Sequence, residues 1–470
     1  MKNKKFNLII KIIIIFLCLF SIFFYYLLKN NVYFIFSNCN IKTISFERIY
    51  KYNSKYTSIY SNNSYYNLTF FSEMNEDQFR VEKLKTLGFK NQMELGVYNL
   101  YILPYIMEEN LEYIISKFII SKYQKINMYF NYKDYCSKSL LYFNYEKMQK
   151  LFPLEYNYML ETFSYPENKD IIEKRFVNYS YNKEDVWLLK PKLSLAGNGI
   201  SILRNYTDIK QDYIVTKYLT NPHIIKGVKY DIRFHGLITS VKPLILYLYD
   251  EGLARLATEK YDYNDQANIY SFLTNLHVNI NNKNKFIYPQ NNSNIEDSHL
   301  WNLETLKKYF TKNNINYDII YEQVKDIFIK MIFTVRQKII NSIEKYGLSN
   351  SNFYHLIGFD IILDENLKPY LLEANRKAGF RDDNDAEKGF TFNLIIDTIN
   401  LVGIKRINNK IKTKNNDENK EVENYICELN KSYGGYNLIF PLRKKIEKYK
   451  KFFLNDISDE DLKLWNYLNE

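Results

Sequence analysis

The feature that most constrains the fold of this chain is an apolar run at residues 358–379, GFDIILDENLKPYLLEANRKAG. Two apolar trios, at 361–363 and 370–372, flank residues 364–369, whose composition is typical of a turn between two strands. The run therefore predicts an antiparallel β-hairpin.

Such a hairpin would carry three oxygen-bearing side chains at its open end. Folding about the turn brings Asp360 and Glu373 together, and side-chain alternation puts Glu373 and Asn375 on one face. An all-oxygen set without His or Cys suits a hard cation, and Mg²⁺ usually binds one or two carboxylates together with phosphates. We interpret the three residues as candidate Mg²⁺ ligands. The alternative is that the carboxylates are solvated strand ends and the Asn lies in a turn.

The size and charge of the chain set broad limits on its organisation. Its 470 residues exceed the size at which a single core stops growing, so two or three lobes are expected. The net charge of +11 favours an acidic partner, which could be a nucleic acid, an anionic lipid or an acidic protein tail. The four cysteines have neither a disulfide framework nor a zinc-site spacing.

The start of the chain has the pattern of a membrane segment. Residues 8–28 are almost entirely apolar and follow three lysines, and about 20 apolar residues span a bilayer. A cleaved signal peptide is the alternative, but no small-residue cleavage pattern follows Leu28. We expect an uncleaved single-pass anchor within residues 1–30. Basic residues on both sides of the span leave its orientation open.

Two regions have helical patterns. Residues 143–176 are amphipathic, with breaks expected at Pro153 and Pro166. Residues 319–343 place apolar side chains at a helical period, which predicts one helix that packs into the core and ends before Gly347.

Three other regions lack a clear pattern. Residues 31–118 are rich in Tyr and Asn, and we assign no chemistry to them. Residues 275–297 and 410–431 are polar and rich in Asn and Lys, which predicts mobile loops.

A glycine-containing loop is a candidate phosphate site. In WLLKPKLSLAGNGISIL, residues 187–203, a predicted strand is followed by a loop with Gly197 and Gly199 and then by a second strand. Glycines let backbone N–H groups approach phosphate, and Lys190 can supply a charge. Lys217 follows a later β-branched run. The spacing is not that of a P-loop, and a hairpin turn without a ligand is the alternative.

Charged residues also alternate along a predicted strand, GVKYDIRFHGLITS. Lys229, Asp231 and Arg233 would project from one face of this strand. Burying them is costly without partners, so the pattern indicates a charged floor that faces phosphate and metal. An exposed strand with a surface ion pair is the alternative. Three further polar residues follow in order: Arg255, Thr274 and Asn275.

Taken in order, these segments resemble the tubulin-tyrosine ligase-like family of tubulin polyglutamylases and tyrosine ligases. The resemblance covers about residues 125–441 and rests on WLLKP, GNGI, KYDIR, TSVKPLILYLYDEGLARLATEKY, LTN, GFDIILDENLKPYLLEAN and GGYNLIFP. It implies an α/β (α+β) ATP-grasp fold with N-terminal, central and C-terminal lobes, preceded here by a single transmembrane helix. The expected parts are an anchor (1–30), an unassigned region (31–118), the catalytic domain (119–441) and a basic helical tail (442–470).

The resemblance also implies roles for the candidate residues. The expected catalytic residues are Arg233, Arg255 and Lys229. Those expected to bind ATP are Lys190, Gly197, Gly199, Lys217, Asp231, Thr274 and Asn275. Those expected to bind Mg²⁺ are Asp360, Glu373 and Asn375. The sequence departs from the family pattern at Ala196, Phe272 and Ile280.

The implied activity is an ATP-dependent ligation of a free amino acid to a carboxylate of a tubulin tail through an acyl phosphate. The GLARLATEKY segment is closer to glutamylating members, so we expect glutamate as donor. The expected partners are acidic tubulin tails and the membrane, with no nucleic acid, and the body is expected on microtubules in the cytosol. Two alternatives are a non-catalytic, membrane-tethered microtubule-binding module and an ATP-dependent peptide ligase with a non-tubulin acceptor.

Overall fold

The computed structural model describes residues 69–72, 78–91, 99–102, 124–181, 184–193, 197–265, 268–289, 295–379, 385–404, 422, 425–426, 428–429, 434–454 and 456–469. The predicted anchor at residues 8–28, Ala196 and most of the predicted loop at 410–431 lie outside these ranges. Within them, no helix has the length and apolar character needed to cross a membrane.

The described ranges contain both strands and helices. The strands are β1 (Thr69–Ser72), β2 (Lys90–Asn91), β3 (Leu100–Ile102), β4 (Lys125–Ile126), β5 (Thr162–Ser164), β6 (Trp187–Pro191), β7 (Ser201–Ile202), β8 (Tyr213–Lys217), β9 (Ile224–Ile225), β10 (Val228–Val241), β11 (Leu244–Tyr249), β12 (Leu253–Lys260), β13 (Leu300–Asn302), β14 (His355–Leu363), β15 (Pro369–Asn375) and β16 (Tyr436–Phe440). The helices are α1 (Gln78–Thr86), α2 (Lys133–Cys136), α3 (Lys138–Leu151), α4 (Lys169–Phe176), α5 (Ile269–Phe272), α6 (Leu276–Ile280), α7 (Leu303–Lys312), α8 (Tyr317–Phe333), α9 (Arg336–Lys345), α10 (Asp385–Val402), α11 (Ile446–Tyr449) and α12 (Asp459–Asn469). The mixed α/β class predicted from the sequence is confirmed.

Strand β10 organises the largest sheet. Its first half pairs with β12 and its second half with β11, while its other edge pairs with β14. Strand β14 in turn pairs with β15, so the predicted hairpin is confirmed, and Asp360 lies directly opposite Glu373. Helices α8 and α9 pack against this sheet through a large apolar core. The sheet therefore holds the charged strand and the oxygen-bearing hairpin side by side.

A smaller antiparallel sheet, with strand order β5-β8-β6-β7, carries Lys190 and Lys217 on its two central strands. Helix α4 covers it through Ile172 and Phe176, which pack with Trp187. This small separate core makes the sheet a lobe of its own.

A third sheet, β2-β1-β3-β4, is parallel and lies mostly within residues 31–118, where the sequence analysis assigned nothing. Its core is shared with α10, through residues such as Phe70, Leu100 and Ile395. The N-terminal region therefore contributes a packed layer to the molecule.

The structure corrects one predicted helix and one predicted loop. Residues 319–343 do not form one helix, because α8 ends at Phe333 and α9 begins at Arg336. The Thr334 hydroxyl binds the carbonyl oxygen of Met331 (2.7 Å), a local bond that competes with helix continuation. The end before Gly347 is confirmed, and this glycine has φ +64°.

The predicted loop at 275–297 is wrong in its first part, which forms α6. The side chain of Asn279 is buried there, and its Oδ1 accepts a hydrogen bond from the backbone N–H of Thr258 (2.9 Å). The breaks at Pro153 and Pro166 are confirmed, since α3 ends at Leu151 and α4 begins at Lys169. The sequence analysis missed strand β5 between them.

Candidate active site

A cavity of about 280 Å³ lies where the small sheet meets the large sheet. Ten of the predicted site residues line it: Lys190, Gly197, Lys217, Lys229, Asp231, Thr274, Asn275, Asp360, Glu373 and Asn375. Gly199, Arg233 and Arg255 are not part of its lining. The two lobes thus bring lysines and oxygen-bearing side chains to one cavity.

The charged strand forms a buried network behind the cavity. Asp360 accepts hydrogen bonds at Oδ1 from Arg233 Nε (2.6 Å) and at Oδ2 from Arg233 Nη2 (2.7 Å) and Arg255 Nη2 (2.7 Å). Arg255 also binds both oxygens of Asp231, with Nε at 2.7 Å from Oδ1. These pairs follow from the strand register, in which Asp231 lies opposite Arg255 and Arg233 lies opposite Asp360. Asp231 and Arg233 of the predicted charged floor are thus held in ion pairs, and Lys229 and Asp231, but not Arg233, line the cavity.

The two facing carboxylates have shifted pKa values in opposite directions. Burial opposes ionisation of Asp360, but the guanidinium groups of Arg233 and Arg255 outweigh it and hold the pKa below its usual range. Burial and the nearby Asp360 charge raise the pKa of Glu373, while Arg233, with Nη2 at 3.8 Å from Oε1, opposes the rise. Glu373 is therefore the carboxylate that gains most from an added cation.

The oxygen donors at the hairpin end fit a hard cation. Asn375 donates its Nδ2 to Glu373 Oε1 (3.2 Å), which leaves the amide oxygen of Asn375 as an acceptor. Three of the four lone pairs of Asp360 accept guanidinium hydrogens, so one position remains on Oδ1. In the described ranges no group of three or more His, Cys, Asp or Glu side chains could hold a metal. A metal site here would therefore need Asn375 as a donor.

The cavity lining also includes two lysines with lowered pKa values. Burial lowers the pKa of Lys190 to about 8. Burial lowers the pKa of Lys229 to about 7, although Asp231 raises it. Lys229 Nζ donates to the Tyr218 hydroxyl (2.7 Å) and to the carbonyl oxygen of Phe272 (2.9 Å). A polyphosphate in the cavity would favour the charged form of both lysines.

An aromatic stack lies beside Lys229. The rings of Tyr218 and Phe272 lie 3.9 Å apart at an angle of 10°, and Lys229 Nζ lies 4.1 Å from the centre of the Tyr218 ring. Leu188 and Ile362 add apolar lining. A cavity with an apolar part and a charged end suits a nucleotide, whose base is apolar and whose phosphates are anionic.

The glycine loop approaches the cavity closely. Gly197 has φ +85°, and a Cβ on it would lie 2.8 Å from Cγ of Asn275. Gly199 has φ +72° and faces Pro191 in the same way, with a distance of 2.9 Å to its Cγ. Both glycines are needed for loop geometry. Gly197 and its neighbour Asn275 line the cavity, whereas Gly199 and Pro191 do not.

Four basic residues in the lining were missed by the sequence analysis, namely Lys133, Lys138, Lys192 and Arg376. Lys138 is the first residue of α3, whose N-cap is Ser137. Its Nζ donates to the carbonyl oxygen of Pro191 (3.4 Å), and burial lowers its pKa, although Glu373 opposes this. A lysine at a helix N-terminus opposes the helix dipole, and this unfavourable placement was the available signal. Arg376 directly follows Asn375 and gave no such signal.

Comparison with known proteins identifies similar chains. A model of the tubulin-tyrosine ligase family matches residues 117–414. The chain is 29% identical over 287 residues to "Tubulin monoglutamylase TTLL4" of Mus musculus, which covers 60% of the chain and 24% of the relative. It is 28% identical over 403 residues to "Tubulin polyglutamylase TTLL6" of Homo sapiens, and the aligned region covers 79% of the chain and 43% of the relative. It is 30% identical over 288 residues to "Probable beta-tubulin polyglutamylase" of Tetrahymena thermophila, with 60% and 24% covered. The matches thus span less than half the length of these relatives.

Proposed function

Because the chain belongs to the tubulin-tyrosine ligase family, we propose that it is an ATP-dependent ligase with an ATP-grasp fold that adds glutamate to tubulin tails. The observation that carries this proposal is the cavity between the two sheets. Glu373 and Asn375 line it together with Lys190 and Lys229. Phosphoryl transfer requires this combination of fixed cations and metal-binding oxygens.

The lysines would hold the phosphates of ATP. Lys229 is buried and held by two hydrogen bonds, so its charge needs little rearrangement when a polyphosphate binds. Lys190 lines the same cavity. Glu373 and Asn375, with Oδ1 of Asp360, would hold Mg²⁺, which when bound neutralises charge on the phosphates. The lysines thus suit the anionic phosphates, and the oxygen-bearing side chains suit Mg²⁺.

Arg233 would stabilise the acyl phosphate. Its Nε and Nη2 each donate to Asp360, which fixes the plane of the guanidinium. Its Nη2 also lies 3.8 Å from Oε1 of Glu373, which lines the cavity. Arg255 is held more completely, because it binds both Asp231 and Asp360. Its role in this proposal is to keep Asp360 ionised.

The reaction has two transfers. A carboxylate oxygen of the tubulin tail takes the γ-phosphoryl group of ATP, and ADP leaves. The amine of glutamate then attacks the carbonyl carbon, phosphate leaves with the bond to its oxygen, and the amine loses a proton as the amide forms. In each step a negatively charged phosphate group is transferred or released, and the fixed cations of the site would stabilise that charge.

The choice of glutamate rests on two supports. The segment GLARLATEKY is closer to glutamylating members of the family, and the relatives named above carry glutamylase names.

The charge of +11 suits an acidic acceptor tail. We further propose a body on cytosolic microtubules, tethered to a membrane by residues 8–28.

A transfer assay with the full-length protein tests the proposal. The protein is incubated with ATP, Mg²⁺, microtubules and one isotope-labelled amino acid at a time, with glutamate, glycine and tyrosine as the choices. We expect tail peptides of tubulin to gain glutamate, as measured by mass spectrometry, and to gain nothing without ATP. Transfer of another amino acid would exclude glutamate as donor, and ATP binding without any transfer would favour the non-catalytic module.

A further inference from the structure

Two buried histidines hold the loop that follows the hairpin, residues 376–379. His355 Nε2 lies 3.0 Å from the carbonyl oxygen of Arg376, and His235 Nε2 lies 3.0 Å from that of Ala378. The two rings are 1% and 2% exposed. They come from the adjacent strands β14 and β10, which belong to the central sheet. The loop is therefore anchored to the rigid part of the fold at two points.

The direction of these hydrogen bonds follows from the acceptors. A carbonyl oxygen can only accept, so each Nε2 carries the hydrogen. In the neutral ring of His355, Nδ1 is then an acceptor, and the hydroxyl of Tyr135 lies 2.6 Å from it. Tyr135 is fully buried and donates this hydrogen bond. A chain of two hydrogen bonds thus runs from Tyr135 through His355 to Arg376.

The anchored loop packs directly on Arg233. Gly379 has φ +78°, and a Cβ on it would lie 2.3 Å from Nη1 of Arg233. A Cβ on Gly358 would lie 2.9 Å from the carbonyl oxygen of Ala378 and 3.1 Å from Cδ of Arg233. The guanidinium therefore lies between Asp360 on one side and the loop on another, with little space to shift.

The other end of the hydrogen-bond chain, Tyr135, lies next to residues of the cavity wall. Tyr135 belongs to α2, and its neighbours Tyr132 and Cys136 line the cavity. Arg376 lines the same cavity from the loop. The Tyr135–His355 bond therefore connects two walls of the site.

We propose that Tyr135, His355 and His235 are positioning residues for the ligation. Their hydrogen bonds hold the 376–379 loop in place, and the loop holds Arg233 where the acyl phosphate forms. The inference rests on the proposed function for the reaction it serves. A displacement of about 1 Å in a group that positions substrate can cost on the order of 10²-fold in rate.

The kinetic test uses His355→Leu, which removes both hydrogen bonds of the ring. We expect kcat for glutamate transfer to fall about 10-fold to 100-fold, while the KM for ATP changes less than about 3-fold, because Lys190 and Lys229 are unaffected. His355→Gln, whose side-chain N–H can again donate to the carbonyl of Arg376, should recover most of the lost kcat. An unchanged kcat in His355→Leu, or equal loss in the Gln variant, would overturn the proposal.

Tyr230→Phe is a matched control for Tyr135→Phe. The hydroxyl of Tyr230 lies 2.9 Å from Nδ1 of His223, and this partly buried Tyr–His pair does not line the cavity. We expect Tyr135→Phe to lower kcat and Tyr230→Phe to leave it unchanged. An equal fall in both would mean that the effect comes from general stability, which would contradict a positioning role.

Hydrogen exchange of the full-length protein tests the clamp, meaning the hydrogen bonds of Tyr135, His355 and His235 that hold the 376–379 loop. This measurement does not depend on amino-acid transfer. We expect backbone amides of the 376–379 loop to exchange at least about 10-fold faster in His355→Leu and Tyr135→Phe, while strand β10 keeps the parent rate. Unchanged exchange in the loop would overturn the clamp. If the parent transfers no amino acid but the variants loosen the loop, the clamp stands and the proposed function fails.

Discussion

Asp360 and Glu373 lie directly opposite each other in the hairpin, yet of the two only Asp360 accepts hydrogen bonds from guanidinium groups. The arginines lower the pKa of Asp360, whereas burial and the charge of Asp360 raise the pKa of Glu373. One carboxylate is thus permanently paired, and the other faces the cavity with its charge poorly compensated. A divalent cation would supply the missing charge.

This relationship predicts the effect of Glu373→Gln. The change is nearly isosteric, so the hairpin should keep its packing, but it removes the negative charge beside the proposed Mg²⁺ site. We expect glutamate transfer to fall on the order of 10²-fold or more, because stabilisation of the transferring phosphoryl group weakens. The measurement is the transfer rate at saturating ATP and Mg²⁺. A rate equal to the parent's would mean that this carboxylate binds no catalytic metal.

Asp364→Asn, in the turn of the same hairpin, is the control. Asp364 Oδ1 accepts hydrogen bonds from the backbone N–H groups of Asn366 and Lys368, both at 2.9 Å. An Asn oxygen can accept the same bonds, and the turn lies at the end of the hairpin away from Asn375. Transfer should therefore stay near the parent rate.

The parts of the site that could be predicted lie close together in the sequence. Alternation put Lys229, Asp231 and Arg233 on one strand face, and a turn between two apolar trios gave the hairpin with its open-end carboxylates. Tyr135 and His355 are separated by 220 positions. No local pattern encodes such a contact, which forms only after the whole fold does.

The parallel sheet could not be predicted for a different reason. Strands β1 to β4 have four, two, three and two residues. Such strands are too short to show a period of two, and their stability comes from packing against α10, which is more than 280 positions away from β3. The break between α8 and α9 was missed because both helices continue the same apolar stripe.

A stability prediction concerns the C-terminal helix α12. Asp461 is fully buried, accepts from the backbone N–H of Leu244 (2.9 Å) and pairs with the guanidinium of Arg336. Asp461→Asn would leave the buried charge of Arg336 without its partner. We expect the free energy of unfolding, measured by urea titration, to fall by about 3–5 kcal/mol.

Asp459→Asn serves as the control for this change. Asp459 lies in the first turn of the same helix, and its side chain is exposed. The same loss of charge there should cost well under about 1 kcal/mol. Equal losses in the two variants would contradict the ion pair as the cause.

A third prediction concerns the apolar segment at residues 8–28. Burying about 20 apolar side chains in a bilayer is far more favourable than a peripheral contact. The full-length protein should therefore stay in the membrane pellet after washing with alkaline carbonate. Recovery of the full-length protein in the wash supernatant would exclude a membrane anchor at this segment.

The last prediction follows from the lowered pKa values of Lys190 and Lys229, about 8 and about 7. At pH 8 the free protein holds Lys229 mostly neutral and Lys190 about half protonated. ATP carries its full negative charge at this pH and favours the protonated form of both lysines. Binding should therefore take up protons at pH 8 and take up fewer as the pH falls towards about 6, where both side chains are mostly charged.

Isothermal titration calorimetry in buffers of different ionisation enthalpy measures this uptake directly. We expect ATP binding at pH 8 to take up between about half a proton and one and a half protons, and the value to fall in Lys229→Met and in Lys190→Met. The larger decrease should occur in Lys229→Met, because Lys229 has the lower pKa and so starts with less charge. Lys260→Met, an exposed lysine at the end of β12, should leave the uptake unchanged. Proton uptake that is the same in the parent and in both cavity variants would show that these lysines do not meet the phosphates of ATP.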